Sequence, residues 1–336
     1  MNQPSVVRPH LTLLSSGQIE QVHSYSLQIL STVGIRVDSE EARRIFARAD
    51  GVTVREDGRV LIQPDLVEWA VETAPSSVDI YNRRGDLAFR LGDDRIRFGV
   101  GVTNLYYQDP ETDQVSPFTR KHMETSVRLG NALSNFDVIS TIGIIQDMPP
   151  DVADLYAVLE MMSGTIKPLV ILISDENLFS PALDLLEHLH GDLSAQPFVM
   201  PYFNPITPLI LNKGTADKML DAIERGLPVI YSNYSMAGMS TPITPAGTLS
   251  LLNAELLAGL VFSQLIKAGA PVILGSRSPR QRRTVGQSLD QLHRQSWVGA
   301  FCGRQPWLQG FLADERSVCE RNHRRGALLC TGIYAE

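Results

Sequence analysis

From residue 95 onward the sequence alternates between short apolar runs and helical stretches, and this alternation limits the fold more than any other feature. The apolar runs are rich in β-branched residues and start near Arg97, Asp137, Pro168, Phe198, Pro228 and Pro271. Successive starts are 40, 31, 30, 30 and 43 residues apart. Helical periodicity occupies the intervening residues 119–133, 152–163, 178–190, 215–225 and 249–267. Strands that alternate with helices at this spacing predict an α/β protein with a parallel sheet.

Two folds contain such a sheet, the doubly wound sheet and the βα barrel, and the loop lengths favour one of them. The long connections follow the expected strands, at residues 99–118, 146–150, 202–213 and 232–247, whereas the loops that enter the strands are short. Barrel enzymes build their active sites from loops at the carboxyl ends of the strands. We therefore predict a (β/α)8 TIM-barrel fold, incomplete in this chain, with about six recognisable βα units.

The residues before the barrel predict a helical layer followed by short strands. One helix is expected to stop at Gly34, a second to be capped by Ser39, and a third to begin at Pro64. Short strands near residues 78–81 and 87–90 then lead into the first barrel strand. The expected organisation has three segments, which are residues 1–94, 95–276 and 277–336.

The third segment differs sharply in composition from the rest of the chain. Residues 276–336 hold all 3 Cys and 10 Arg but no Lys, and they carry a net charge of +5. Since the whole chain carries −7, the preceding residues carry −12. An acidic body argues against nucleic-acid binding, and the apolar runs fall short of the ~18 residues that span a membrane. We expect a soluble cytoplasmic protein with no nucleic-acid or membrane partner and no disulfide framework.

Several common catalytic and cofactor motifs are incomplete or missing in the sequence. Residues 98–104 read F-G-V-G-V-T-N, but a strand and a turn follow where a dinucleotide-binding motif needs a helix. The histidines are isolated and form no HExxH pattern, so no metal site is predicted. The sequence also lacks a GxSxG elbow and a Walker A loop. These observations argue against nicotinamide binding, metal-dependent hydrolysis, hydrolysis by a nucleophilic serine, and phosphoryl transfer.

Aromatic and amide side chains gather where the strands are expected to end. In chain order they are Phe98, Asn104, Tyr107, Tyr202, Asn204, Tyr231, Asn233 and Tyr234. Ring faces attract protonated and quaternary amines, so together these residues predict an aromatic cage, although each ring alone could simply pack the barrel mouth. Asp147 follows the second strand and could complement a cation. Its alternative role is to cap the helix that starts near Asp151.

A long loop after the fifth strand is stiffened by its composition. Residues 236–247 read M-A-G-M-S-T-P-I-T-P-A-G, and two prolines with two glycines fix the shape of such a segment. Its hydroxyl groups can face a ligand or cap the following helix. We include Met236, Gly238 and Thr241 among the candidate substrate-binding residues.

This loop and the helix after it, residues 236–276, closely resemble the trimethylamine methyltransferase family. Supporting segments read S-L-Q-I-L and V-G-I-R-V within residues 26–37, D-P-E-T and P-F-T within 109–119, and D-M-P-P-D-V and K-P within 147–168. The resemblance covers about residues 14–276. The loop departs from the family at Met239, Ser240, Thr241 and Pro245, where smaller or aliphatic residues are usual.

The resemblance implies a βα barrel that transfers a methyl group from a methylamine to the cobalt of a separate corrinoid protein. Archetypal members contain pyrrolysine, whereas many relatives without it demethylate quaternary amines such as glycine betaine. The sequence has no pyrrolysine, which favours the quaternary-amine branch. The implied partners are the corrinoid protein and the methylated amine. No cofactor is expected to bind this chain directly, since the methyl acceptor is the cobalamin of the corrinoid protein, and a homo-oligomer is left open.

The resemblance stops at Ser276, where the composition also changes. One hypothesis is that the tail is translated out of frame, and another is that it is a natural divergent tail. An incomplete barrel makes an inactive family remnant the alternative to an enzyme. A weaker hypothesis is a barrel lyase with a Schiff-base lysine. It is disfavoured because Lys167 enters its strand at the wrong end and Lys213 lies in a loop.

Overall fold

The computed structural model describes residues 13–92 and 96–277, which form eight helices and thirteen strands. The helices are α1 (Ser16–Thr32), α2 (Glu40–Ala47), α3 (Pro64–Thr73), α4 (Arg120–Ala132), α5 (Pro150–Gly164), α6 (Glu176–His190), α7 (Lys213–Glu224) and α8 (Pro245–Ile266). The strands are β1 (Ile35–Val37), β2 (Val52–Val54), β3 (Arg59–Ile62), β4 (Val78–Tyr81), β5 (Leu87–Leu91), β6 (Tyr106–Gln108), β7 (Val115–Pro117), β8 (Ile139–Ser140), β9 (Leu169–Ile171), β10 (Val199–Phe203), β11 (Ile210–Leu211), β12 (Val229–Tyr234) and β13 (Val272–Arg277). Residues 278–336, which include the three cysteines, lie outside the described residues.

A parallel sheet of five strands forms the centre of the fold. Its strands β8, β9, β10, β12 and β13 lie side by side in the order of the sequence. A doubly wound sheet would reverse its strand order at a switch point, whereas a barrel keeps the order consecutive. The predicted α/β fold with a parallel sheet is confirmed. Within the part of the chain that the structure describes, the sheet is not closed.

The sequence predicts the first barrel strand at residues 95–100, and the structure corrects this prediction. Among the described residues 96–100 only an isolated bridge forms, in which Gly99 pairs in parallel with Val138. The side chain of Asp137 accepts a hydrogen bond of 2.8 Å from the backbone N–H of Phe98. Because that N–H is bound to a carboxylate, it does not extend a strand ladder. The bridge still places this segment next to β8, as a sixth parallel position.

The N-terminal helices form as predicted, and a small sheet that the sequence did not reveal joins them to the central unit. Ser39 caps α2, since its side chain accepts a hydrogen bond from the N–H of Ala42, and Gly34 ends α1 with a φ of 72°. Strand β1 pairs antiparallel with β3 and parallel with β11, the short strand that follows β10. The N-terminal elements therefore share a sheet with the loop after β10.

The central sheet has an apolar core on each of its faces. On the outer face the helices cover a large cluster that includes Leu169, Val199 and Val229. On the inner face Val170, Met200 and Ile273 pack against the β4–β5 hairpin, which contributes Ile80 and Phe89. Because successive residues of a strand point to opposite faces, the residues of each strand alternate between the helix side and the inner side of the sheet.

Helix α8 packs against β12 and β13, the last two strands of the sheet, and it also contacts α1, α2, α3 and α7. Among the described residues it is the one helix long and apolar enough to cross a membrane, with a mean hydropathy of 1.6. Of the 18-residue stretch of α8 with this hydropathy, 83% is buried inside the protein, as is typical of a core helix. Gly259 allows the close approach, because a Cβ at this position would lie 2.2 Å from Cε1 of Tyr231.

This contact predicts that Gly259→Ala lowers the free energy of unfolding by about 1–3 kcal/mol, because the added methyl group overpacks the Tyr231 ring. Urea denaturation measures the change. Gly17→Ala in α1 is the matched control, since nothing lies within 4 Å of its added Cβ. It should be neutral or stabilise by roughly 0.5–1 kcal/mol. Equal stability of both variants would contradict the packing described here.

Candidate functional site

Four residues lie on the inner face of the sheet at the carboxyl ends of β10 and β12, and we call them the edge cluster: Tyr202, Asn204, Ser232 and Tyr234. The two strands are neighbours, with Tyr202 opposite Ile230. The side-chain Nδ2 of Asn204 donates to the carbonyl oxygen of Ser232 at 2.7 Å and lies 3.4 Å from the hydroxyl of Tyr202. Alternation along β12 places Tyr234 on the same face as Ser232, and Tyr234 is 41% exposed.

Asn204 of the edge cluster is fixed by hydrogen bonds to helix α7 and to strand β12. The hydroxyl of Thr215 in α7 donates to the backbone carbonyl of Asn204 at 2.7 Å, so Asn204 is fixed through its backbone as well as its side chain. Tyr202 packs into the inner core beside Met200. The ring of Tyr202, which is 9% exposed, lies next to the carboxamide of Asn204, and the exposed ring of Tyr234 lies further along the same face, so this edge is polar and aromatic. Such a surface can bind an organic cation through ring faces without a buried counter-ion.

Tyr231 and Asn233 also lie on β12, but the structure places them on the opposite face. Tyr231 is 2% exposed and packs against α8. Burial raises the pKa of its hydroxyl well above the usual range, with a further contribution from the charge of Glu255. The amide of Asn233 donates to the carbonyl of Leu252 and to the carboxylate of Glu255, each at 2.9 Å. The expectation that Tyr231 and Asn233 face the cage is therefore corrected. Because they alternate with Ser232 and Tyr234 along β12, their side chains point to the helices.

Three residues expected in the cage, Phe98, Asn104 and Tyr107, lie near the first two βα units. Asn104 donates from Nδ2 to the carbonyl of Ile142 at 2.7 Å. Tyr107 stacks on His122 with ring centroids 4.0 Å apart and an interplanar angle of 11°. Phe98 is half exposed next to the isolated bridge. Their part in a substrate site stays a prediction.

Asp147 accepts a hydrogen bond at the start of a helix, but a different helix from the one expected, and Thr119 is the N-cap residue of that helix. Oδ1 of Asp147 accepts a hydrogen bond of 2.8 Å from the backbone N–H of Arg120, the first residue of α4. The N-cap of α5 is Pro149, so the proposed cap near Asp151 is wrong. A carboxylate at a helix N-terminus is stabilised by the exposed N–H groups there. The Asp147 side chain is exposed, and its role toward a cation is untested.

The loop after β12 is folded upon itself. The N–H of Gly238 donates to the carbonyl of Thr241 at 2.9 Å, and the N–H of Met236 donates to the Ser240 hydroxyl at 3.0 Å. Gly238 has a φ of 86°, a conformation that glycine adopts at little cost. Thr241 is buried, and its hydroxyl lies 3.2 Å from that of Thr248 in α8. Thr241 therefore fastens the loop to the helix.

The two lysines of the lyase hypothesis have structural partners. Lys167 donates from Nζ to the carbonyls of Gly130 and Leu133 at 2.8 and 2.7 Å, where α4 ends. Lys213 forms an exposed ion pair of 2.7 Å with Asp217. Neither arrangement places an amine at the edge cluster. Across residues 13–92 and 96–277, no group of three His, Cys, Asp or Glu residues could hold a metal ion.

The opposite orientations of two tyrosines on β12 give a prediction about stability. Tyr231→Ala should lower the free energy of unfolding by roughly 3–5 kcal/mol, because it empties a fully buried site between the sheet and α8. Tyr234→Ala should cost less than about 1 kcal/mol, because that ring is partly exposed. Urea denaturation of both variants checks this difference. Similar losses in the two would show that the faces of β12 are misassigned.

Comparison with known proteins identifies relatives over most of the chain. A model of the family described as trimethylamine methyltransferase (MTTB) matches residues 1–279. The trimethylamine methyltransferase MttB of Desulfitobacterium hafniense (strain DSM 10664 / DCB-2) is 28% identical over 268 residues, which cover 78% of this chain and 53% of that protein. The glycine betaine methyltransferase of Desulfitobacterium hafniense (strain Y51) is 28% identical, with 80% of this chain and 57% of that protein covered.

The proline betaine:corrinoid methyltransferase of Eubacterium limosum is also 28% identical, with 79% of this chain and 56% of that protein covered. Among solved structures, the monomethylamine methyltransferase of Methanosarcina barkeri aligns with a TM-score of 0.46 at 10% identity, over 77% of this chain and 53% of that one. The chain spans about half the length of the curated relatives it matches. Because the family model extends from the N-terminal helices through the last strand of the sheet, the chain belongs to the trimethylamine methyltransferase family.

Proposed function

We propose that this chain binds a methylated amine, with a quaternary amine such as glycine betaine as the favoured substrate, and transfers one methyl group to the cobalt of a separate corrinoid protein. The observation that carries the proposal is the edge cluster, where Tyr202 lies beside the fixed carboxamide of Asn204 and the exposed Tyr234 shares their face at the carboxyl edge of a parallel sheet. Barrel enzymes place their sites at this edge. Relatives whose names specify trimethylamine, glycine betaine and proline betaine support the substrate class.

A (β/α)8 barrel is the architecture that we propose around this site. Five strands lie in consecutive parallel order, and the Gly99–Val138 bridge adds a sixth position before β8. Consecutive order with an intervening helix at each step is the pattern of a βα barrel. The β4–β5 hairpin covers the inner face near the amino ends of the strands, since the N–H of Tyr81 donates to the carbonyl of Pro197. The carboxyl edge is left for a ligand.

The chemistry of methyl transfer from a quaternary amine asks little of acids and bases. The bond between nitrogen and the methyl carbon breaks, its electron pair stays on nitrogen, and the methyl group passes to reduced cobalt on the partner protein. A quaternary nitrogen leaves as a neutral tertiary amine, so no proton is required. The protein must hold the cation and orient one methyl group, which is a positioning task.

The residues of the edge cluster suit that task. The rings of Tyr202 and Tyr234 can attract the positive trimethylammonium group through their faces. Asn204 is held by Ser232 and Thr215, so it offers a fixed polar boundary. We propose Asp147 as an additional, more distant negative charge, and Phe98 and Tyr107 as further aromatic walls. All three stand on the first two βα units, which β9 separates from the edge cluster.

The decisive experiment is methyl transfer by the purified chain. We expect glycine betaine, incubated anaerobically with the chain and free cob(I)alamin, to yield methylcobalamin, with heat-denatured protein as the control. Trimethylamine and proline betaine are tested in parallel. Absence of transfer from every amine would contradict the proposal and favour the alternative, an inactive family remnant.

The role of the rings predicts a difference between two substitutions of Tyr234. Tyr234→Leu should weaken glycine betaine binding by about 0.5–2 kcal/mol, because it removes a ring face from the cation. Tyr234→Phe keeps the ring and should bind within about twofold of the unsubstituted chain. Isothermal titration calorimetry measures both.

The matched ligand control is 3,3-dimethylbutanoate, which has the shape of glycine betaine but a neutral carbon in place of nitrogen. Its affinity should be the same for the Leu and Phe variants. If glycine betaine also binds both variants equally, the ring of Tyr234 does not contact the cation.

A further inference from the structure

Glu255 is a buried carboxylate to which the proposed chemistry gives no role. It lies in α8, is 2% exposed, and faces the helix side of β12. Burial raises the pKa of its carboxyl above the usual range, while three hydrogen bonds to the carboxylate pull the pKa in the other direction. A buried acidic group with no cationic partner among its described contacts is costly. Its three donors therefore indicate what it holds in place.

Two of the donors belong to the segment that follows β10. The hydroxyl of Thr207 donates to Oε2 at 2.8 Å, and the backbone N–H of Leu209 donates to Oε1. The third donor is the side-chain amide of Asn233 on β12, at 2.9 Å. One carboxylate thus joins the loop after β10 to the end of β12 from behind the sheet.

The same two chain segments meet again at the front of the sheet. Asn204 begins the loop after β10, and its amide donates to the carbonyl of Ser232, the neighbour of Asn233. The contacts form a closed path from Glu255 through Asn233 and Ser232 to Asn204, and back along the loop through Thr207. A displacement of the loop behind the sheet is therefore transmitted to the edge cluster.

The loop needs such an anchor. Leu209 has a φ of 57°, in the left-handed region that is unfavourable for a residue with a branched side chain. Its carbonyl accepts a hydrogen bond of 2.9 Å from the N–H of Arg36, just before β11 pairs with β1. The strained residue is thus bound to the N-terminal sheet through its carbonyl and to Glu255 through its N–H.

We propose that Glu255 is a positioning residue that fixes the loop of residues 204–209 and thereby aligns Asn204 and Tyr202 for the methylated amine. It acts through Thr207, Leu209 and Asn233, on the face of the sheet away from the substrate. This inference rests on the proposed function of the edge cluster.

Paired substitutions test the proposal. Thr207→Val removes one donor at nearly constant volume, and Thr207→Ser keeps the hydroxyl. Glu255→Gln places an amide group against the amide of Asn233 and is the second disruptive variant. Ser26→Ala is the control, since Ser26 makes buried hydrogen bonds to the same helix, with Ser250 and Asn253, on the side facing α1.

Two quantities are measured, the dissociation constant for glycine betaine and the hydrogen-exchange rates of the amides in residues 206–211. Thr207→Val and Glu255→Gln should each raise both by about tenfold, the loss expected for a hydrogen bond to a charged group. Thr207→Ser should restore both to within about twofold. Ser26→Ala should lower the melting temperature and leave both unchanged.

The outcomes separate this proposal from the one on which it rests. An unsubstituted chain that binds no amine contradicts the proposed function. A chain that binds glycine betaine equally well in all variants, or whose loop exchanges at the same rate in all of them, contradicts only the role of Glu255.

Discussion

The close contact between Gly259 of α8 and the ring of Tyr231 on β12 holds the helices and the parallel sheet together. It brings a 22-residue apolar helix directly under β12 and β13. Helices α1 and α3 pack on the same helix, so the N-terminal layer and the sheet share one core. A side chain larger than hydrogen at Gly259 would separate them, because protein interiors have no spare volume.

That contact also decides which residues of β12 can meet a ligand. With Tyr231 directed to α8, Asn233 follows it to the helix side, and Ser232 and Tyr234 take the inner face. The helix side is filled by apolar packing and by the hydrogen bonds of Glu255. The inner face at the carboxyl edge carries Tyr202, Asn204 and Tyr234, which makes this edge polar and aromatic. Ring faces attract organic cations, which is why we propose a methylated amine as the ligand.

The sequence predicts the order of elements well and the faces of the strands poorly. Spaced apolar runs and Ser39 gave the helices and the parallel sheet, because these signals are local. Parallel strands are apolar on both faces, so Ile230 and Tyr231 look alike in sequence although they point in opposite directions. Two contacts join distant segments of the chain, the pairing of β1 with β11 and the hydrogen bond from the N–H of Arg120 in α4 to Asp147. No local pattern encodes such contacts.

A trimethylammonium group bound at the edge cluster, as we propose, can be located directly in a crystal. Arsenobetaine replaces the nitrogen of glycine betaine with arsenic, which scatters anomalously. We predict one anomalous peak at the edge cluster, within about 6 Å of the ring centre of Tyr234. A peak elsewhere, or no peak at saturating arsenobetaine, would contradict the proposal.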